Sequence, residues 1–225
     1  FNVTLPYKIS IMKYLDDISK EAKIINAVNT VKNENGKLIG YNTDCGGFLK
    51  SLELNNIDVK GKVVLILGAG GAANAISTSL ALAGAKKIYI NNRTLIKAEK
   101  LAKRIKNQFS RIIVEWGDLE LNNICKNTID MVVNCTSIGM YPDVEKSPMD
   151  FKGFSKDLIV YDIIYKPRNT KFLQIAKERD NYTIGGLSML INQALYSQKI
   201  WLGNNNGHIF DNFNIIERIL ESFVE

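Results

Sequence analysis

The chain has 225 residues, 46% hydrophobic and 23% charged, a composition that allows one large folded domain or two modest ones. Its net charge of +6 suits an anionic ligand, but the basic residues are scattered with no aromatic-interleaved block, so no nucleic-acid partner is expected. Cys45, Cys125 and Cys135 lack CxxC or Cys/His spacing, which speaks against a disulfide framework or a metal centre, and no apolar run approaches membrane-spanning length.

With no recognisable signal peptide, the expected location is cytoplasmic and the expected partner a small molecule, with no membrane and either a monomer or a homodimer. The sequence begins Phe1-Asn2-Val3-Thr4 without an initiator Met, inside what reads as functional sequence, so a further segment upstream is expected. The spacing of Ile11, Leu15 and Ile18 predicts a helix over residues 9–22. Asn33-Glu34-Asn35-Gly36 separates two apolar segments, 27–32 and 37–41, and predicts a hairpin. A helix over 43–54 follows, with Phe48, Leu49 and Leu52 on one side.

After a polar bridge at 55–61, strand and helix alternate: strands at 63–67, 87–91, 112–116, 131–134 and 158–162, helices at 74–83, 96–109 and 170–179. This alternation predicts a doubly wound parallel sheet. Helical patterns resume at 187–201 and 212–223. The fold class is α/β with two domains, a Rossmann domain over 57–187 and a smaller α/β substrate domain over 1–56 plus 188–225.

The segment Gly68-Ala69-Gly70-Gly71-Ala72-Ala73 stands between the first strand of this series and a helix. Such a turn lets backbone approach a pyrophosphate and points the positive end of a helix dipole at it. The second strand ends in Asn92-Arg93-Thr94, where NAD enzymes usually carry an acidic residue for the ribose hydroxyls. Arg93 can stack on adenine and pair with a 2′-phosphate, and Lys97 adds charge nearby, so the cofactor expected is NADP. The plain alternative is a tight βα turn followed by a solvated arginine.

Hydride transfer between an alcohol and a ketone needs a proton partner at the oxygen. Lys8 can serve, with Asp44 holding and polarising it. Asn29 and Thr4 offer uncharged hydrogen bonds to hydroxyl groups. Taken singly, Lys8 also fits a solvated helix start, Asp44 an N-cap and Gln193 an exposed helix polar group. His208, the only histidine, lies beside Asn204-Asn205-Asn206-Gly207 and reads as a solvated loop residue, which disfavours a Ser-His-Asp hydrolase.

The strings NVTLPYK, AVNT, YNTD, GAGGAA, NNRT, NCTSIGM, DIIYKP and GGLSMLINQA together resemble the shikimate dehydrogenase family, in its order and at similar spacings. The resemblance implies NADPH-dependent reduction of 3-dehydroshikimate to shikimate, with Lys8 and Asp44 as the catalytic pair. Which of the two moves the proton stays open, with Lys8 favoured. It further implies substrate contacts from Thr4, Asn29, Thr43, Tyr165 and Gln193, and places Thr136, Ser137, Met140 and Gly186 near the cofactor's ribose and nicotinamide. Family members carry an additional N-terminal βαβ segment with two serines for the substrate carboxylate, so the substrate domain reads as N-terminally incomplete. Cys45 stands where the family more often has Gly. The competing readings are a quinate/shikimate dehydrogenase, which an acidic residue at position 92 would have favoured, and a catalytically weak NADP-binding fragment.

Overall fold

The computed structural model describes residues 1–203 and 213–224; His208 lies outside the described residues. A small sheet opens the chain. Its hairpin joins β2 (Thr30–Glu34) to β3 (Lys37–Tyr41), with Asn35 and Gly36 both at positive φ, 53° and 89°. That backbone matches the twist of the flanking strands, which is why Asn-Gly is favoured there.

The helix expected over 9–22 does not form. In its place stand a 3-10 turn (Ser10–Tyr14), strand β1 (Asp17–Ile18), which pairs parallel with β3, and helix α1 (Lys20–Ile25). Short polar side chains take over the backbone here. Asp16 accepts from the Leu38 N–H (2.7 Å), Asp17 from the Ile18 N–H (2.7 Å), and Ser19 caps α1 by accepting from the Ala22 N–H (3.1 Å). Ile11, Leu15 and Ile18 still share one apolar cluster with Val28 and Val31. Their spacing recorded a common burial target, not a common helix.

Helix α2 (Asp44–Leu54) leads into the large sheet, formed by β4 (Val63–Leu67), β5 (Lys87–Asn91), β6 (Ile113–Gly117), β7 (Met131–Asn134), β8 (Ile159–Asp162) and β9 (Tyr182–Ile184). All pairings are parallel, and the spatial order is β6-β5-β4-β7-β8-β9. The order reverses between β4 and β7, and a crevice at that switch point is where such sheets bind ligands. The three-residue β9 is the strand that sequence periodicity missed.

Side-chain alternation along β4 feeds both faces of the sheet. Val64 and Ile66 pack with Ile76 and Leu80 of α3 (Gly71–Leu82), with Leu101 and Ile105 of α4 (Leu95–Gln108), and with Phe48 of α2. Leu65 and Leu67 pack on the other face with Phe172 and Leu173 of α5 (Lys171–Lys177) and with Phe151. Helix α6 (Leu187–Leu202) returns after β9 and packs against α2, while α7 (Phe213–Val224) rests on α6 through Phe213, Ile216 and Leu220. The close fit of α2 to α6 depends on Gly47, where a Cβ would lie 2.8–2.9 Å from Gln193 and the Met189 carbonyl. Phe48 meets Tyr161 of β8 edge-on at 5.1 Å, and the Tyr161 hydroxyl bonds Ser51 at 2.8 Å. Helix α2 thereby ties the small sheet to the large one.

The three thiols are unpaired, and among the described residues no cluster of three His, Cys, Asp or Glu side chains could hold a metal. None of the described helices is long and apolar enough to cross a membrane.

Candidate active site

The glycine turn sits at the switch point. Gly68 adopts φ +112°, and a Cβ there would lie 3.0 Å from the Cys135 backbone, so glycine is needed for both conformation and space. Gly70 borders open space, and no side chain caps the N-terminus of α3. An uncapped twelve-residue helix with an open backbone approach fits a dinucleotide pyrophosphate. At the end of β5, Asn92 bonds the Thr94 carbonyl (2.9 Å), while Arg93, Thr94 and Lys97 are exposed and free to meet the adenosine end.

Opposite this turn, after β7, Asn134 organises the Thr136–Ser137–Met140 loop. Its Oδ1 accepts from the Thr136 N–H (3.0 Å) and hydroxyl (2.7 Å), and its Nδ2 donates to Asp162 (3.1 Å). Asp162 is fully buried and also accepts from the Thr170 hydroxyl (2.6 Å) and the Ile164 N–H (3.0 Å). Burial pushes its carboxyl up to about 6, against the downward pull of these three hydrogen bonds.

Asp162 pins the exits of β7 and β8, a role that reading the DIIYKP string did not reveal. Because its folded value is raised, the folded state holds this proton more tightly than the unfolded chain. That contribution to stability is fully present below about pH 4 and is lost as pH rises through about 6. Wild type should therefore lose up to about 3 kcal/mol relative to Asp162→Asn between those limits. Urea unfolding of both proteins at stepped pH measures this, and parallel stability curves would refute it.

The proton-transfer candidates meet on the other side of the crevice. Lys8 Nζ lies 2.7 Å from Asp44 Oδ2, with side-chain exposures of 17% and 4%, so the lysine side chain keeps a narrow contact with solvent and the aspartate almost none. The Lys8 carbonyl anchors the segment by accepting from the Val28 N–H at 2.8 Å. Its stem lies on the phosphate turn: a Cβ on Gly71 would sit 2.8 Å from Lys8 Cβ. Asp44 is not the cap of α2. The N-cap position is Thr43, and Asn42 just before it accepts from the Asp44 N–H (3.0 Å) and the Cys45 N–H (3.4 Å), which leaves the Asp44 carboxylate for Lys8 and Asn29.

Asn29 is buried at the centre of the cluster. Its Nδ2 donates to Asp44 Oδ1 (2.9 Å) and Thr43 Oγ1 (2.9 Å), and Gln193 Oε1 lies within reach of the same nitrogen at 3.2 Å. Gln193 therefore faces the cluster from α6 and is not an exposed helix polar group. Thr4 is exposed in the turn leading to Lys8, where its carbonyl accepts from the Tyr7 N–H at 2.8 Å. Tyr165, 43% exposed, lines a recess of about 350 Å³ with Arg168, Gly185, Gly186 and Glu217. The structure thus gathers Lys8, Asn29, Thr43, Asp44 and Gln193 in one hydrogen-bonded group, with Thr4 and Tyr165 placed outside it.

A reversing parallel sheet, an uncapped glycine turn at its reversal and a shielded lysine–carboxylate pair resting on that turn define a nicotinamide-nucleotide-dependent oxidoreductase. The family model for shikimate / quinate 5-dehydrogenase matches residues 51–187, and that for the shikimate dehydrogenase substrate binding domain matches residues 1–31. The chain belongs to the shikimate dehydrogenase family.

It is 45% identical over 219 residues to a shikimate dehydrogenase (NADP(+)) of Caldanaerobacter subterraneus subsp. tengcongensis, covering 97% of this chain and 76% of that protein. A crystal structure of a shikimate dehydrogenase in complex with NADP+ superposes with a TM-score of 0.89 at 40% identity, covering all of this chain and 76% of the other. A Listeria monocytogenes shikimate 5-dehydrogenase in complex with shikimate and NAD gives 0.85 at 34% identity, covering 97% and 76%.

Proposed function

We propose that the chain catalyses the reversible NADPH-dependent reduction of 3-dehydroshikimate to shikimate, in the cytoplasm. One observation carries the reading: the shielded Lys8–Asp44 pair, 2.7 Å apart, packs directly on Gly71 of the phosphate turn, so proton transfer and cofactor share one wall. NADPH, when bound, supplies the hydride. Gly68 to Ala73 would hold its pyrophosphate, Asn92, Arg93, Thr94 and Lys97 its adenosine phosphate end, and Thr136, Ser137, Met140 and Gly186 its nicotinamide end.

Lys8 then gives an ammonium proton to the C3 carbonyl oxygen as that carbon is reduced, and the amine regains a proton through its narrow solvent contact. In the oxidative direction the neutral amine takes the hydroxyl proton. Asp44 orients the lysine and accepts from a neighbouring substrate hydroxyl. Thr4, Asn29, Thr43, Tyr165 and Gln193 bind the remaining polar groups. In this reading residues 1–56 and 188–225 form the substrate side and 57–187 the cofactor side.

The test is absorbance-monitored NADP reduction with shikimate, then with quinate, then with NAD in place of NADP. Turnover with shikimate and NADP is expected to exceed the other combinations. Equal rates with quinate would favour the quinate/shikimate type, and NADPH binding without turnover would leave a nucleotide-binding protein.

A further inference from the structure

Behind the Lys8–Asp44 pair lies a layer of hydrogen-bonded side chains, Asn29, Thr30, Thr43 and Ser197. The Asn29 carboxamide has a fixed orientation, because the Thr43 backbone N–H, which can only donate, points at its Oδ1 from 2.8 Å. Its Nδ2 must then face Asp44 and Thr43.

From that starting point the hydroxyl protons can be followed around a closed path. Asn29 Nδ2 donates to Thr43 Oγ1 (2.9 Å), Thr43 Oγ1 to Ser197 Oγ (3.1 Å), Ser197 Oγ to Thr30 Oγ1 (2.8 Å), and Thr30 Oγ1 back to Asn29 Oδ1 (2.9 Å). Each group in the ring gives one proton and accepts one. The second Nδ2 proton is left for Asp44 Oδ1, 2.9 Å away. Thr30, Thr43 and Ser197 are all buried, so the ring is closed to bulk water. Asn2 Nδ2 buttresses it from the chain start, reaching Thr30 Oγ1 (3.1 Å) and Ser197 Oγ (3.2 Å). Ser197 also has an alternative acceptor, the Gln193 carbonyl one helical turn back at 2.9 Å, and donating there would open the ring.

We propose that Ser197 is a positioning residue for the reaction: it closes this ring, locks the Asn29 carboxamide and so holds one oxygen of Asp44 while Lys8 holds the other. The assignment rests on the function proposed above for Lys8 and Asp44. Ser197 comes from α6 and Thr30 from β2, 167 residues apart, so the ring also fixes α6 against the small sheet. Chains of hydrogen bonds that polarise one another hold geometry more tightly than isolated pairs.

The test uses the full chain as wild type, Ser197→Ala and Ser197→Cys, the cysteine filling the same space with a much weaker donor. In isotope-labelled protein, hydrogen exchange at the Asn29 side-chain amide should quicken by at least about tenfold in both variants, since one ring hydrogen bond is lost. In the assay, kcat/KM for shikimate should fall by about tenfold. The loss should fall on kcat more than on KM, because a loosened Asp44 mis-sets Lys8 while the substrate contacts remain. NADPH affinity should stay unchanged.

If Ser197→Cys matches wild type in amide exchange and in kcat, the hydroxyl only fills space and the proposal is overturned. An unchanged Ser197→Ala overturns it as well. A wild type that is inactive with shikimate, yet loses amide protection on substitution, overturns the functional reading and leaves the ring standing.

Discussion

Lys8→Met should lower kcat for shikimate oxidation by between roughly a hundredfold and ten-thousandfold, the range that a positioned acid–base group contributes. Methionine keeps an unbranched stem that can lie over Gly71, whose backbone approaches Lys8 too closely to admit a Cβ. The wall of the cofactor turn is therefore preserved, and NADPH affinity should change little. KM for shikimate should also move less than kcat, since the lost interaction is with the developing alkoxide and not with the bound ground state.

The same substitution leaves Asp44, 4% exposed, with Asn29 alone as its charge-stabilising neighbour. Breaking a shielded ion pair from one side is destabilising, and a loss of about 3 kcal/mol in urea unfolding is expected. Two readouts from one variant thus separate chemistry from folding. Turnover within tenfold of wild type would remove Lys8 from the mechanism, whatever the change in stability.

What could be read from the sequence was local. The glycine turn, the Asn-Gly hairpin and the parallel strands each occupy a contiguous stretch whose composition follows from its own backbone needs. The three-residue β9 is too short for a period of two to register, and its edge position comes from α5 and β8. The misread 9–22 segment shows the opposite failure. Ile11, Leu15 and Ile18 do converge on one core, but Asp16, Asp17 and Ser19 divert the backbone between them.

Within the site, Lys8 and Asp44 stood out because their strings resemble a family, not because any spacing joins residues 36 apart. The support around them is longer-range still. Gln193 reaches Asn29 across 164 residues, and neither Ser197 nor Asp162 belongs to a pattern that names its partner. Asn42 carries a detectable signal. An Asn two residues before a helix start is a capping candidate, and its bond to the Asp44 N–H is the reason that the aspartate's second possible use, as a cap, does not arise.

Gly186→Ala should be the most damaging Gly-to-Ala change among the described glycines. The backbone there is ordinary for any residue, φ −74°, so the need for glycine is steric. An added Cβ would lie 2.1 Å from the Ile163 carbonyl oxygen and 2.4 Å from its carbon. Neither atom can move aside cheaply. Ile163 N–H is held by the Asn134 carbonyl (3.2 Å), Ile164 N–H by buried Asp162 (3.0 Å), and the Ile164 carbonyl accepts from Gly186 itself (3.2 Å). Helix α6 must slide instead, carrying Gln193 and Ser197 away from Asn29. Overpacking of this kind costs about 3 kcal/mol, which for a chain of this size lowers Tm by roughly 6–12 °C. The KM for shikimate should rise with it, through the displaced Gln193. Gly70→Ala supplies the contrast: its Cβ meets nothing within 4 Å and its φ of −89° suits alanine, so Tm should hold while NADPH affinity drops where the methyl meets the pyrophosphate. Thermal melts and fluorescence titration of NADPH distinguish the two, and a Gly186→Ala protein that melts with wild type would show that the α6–β8 junction can open without cost.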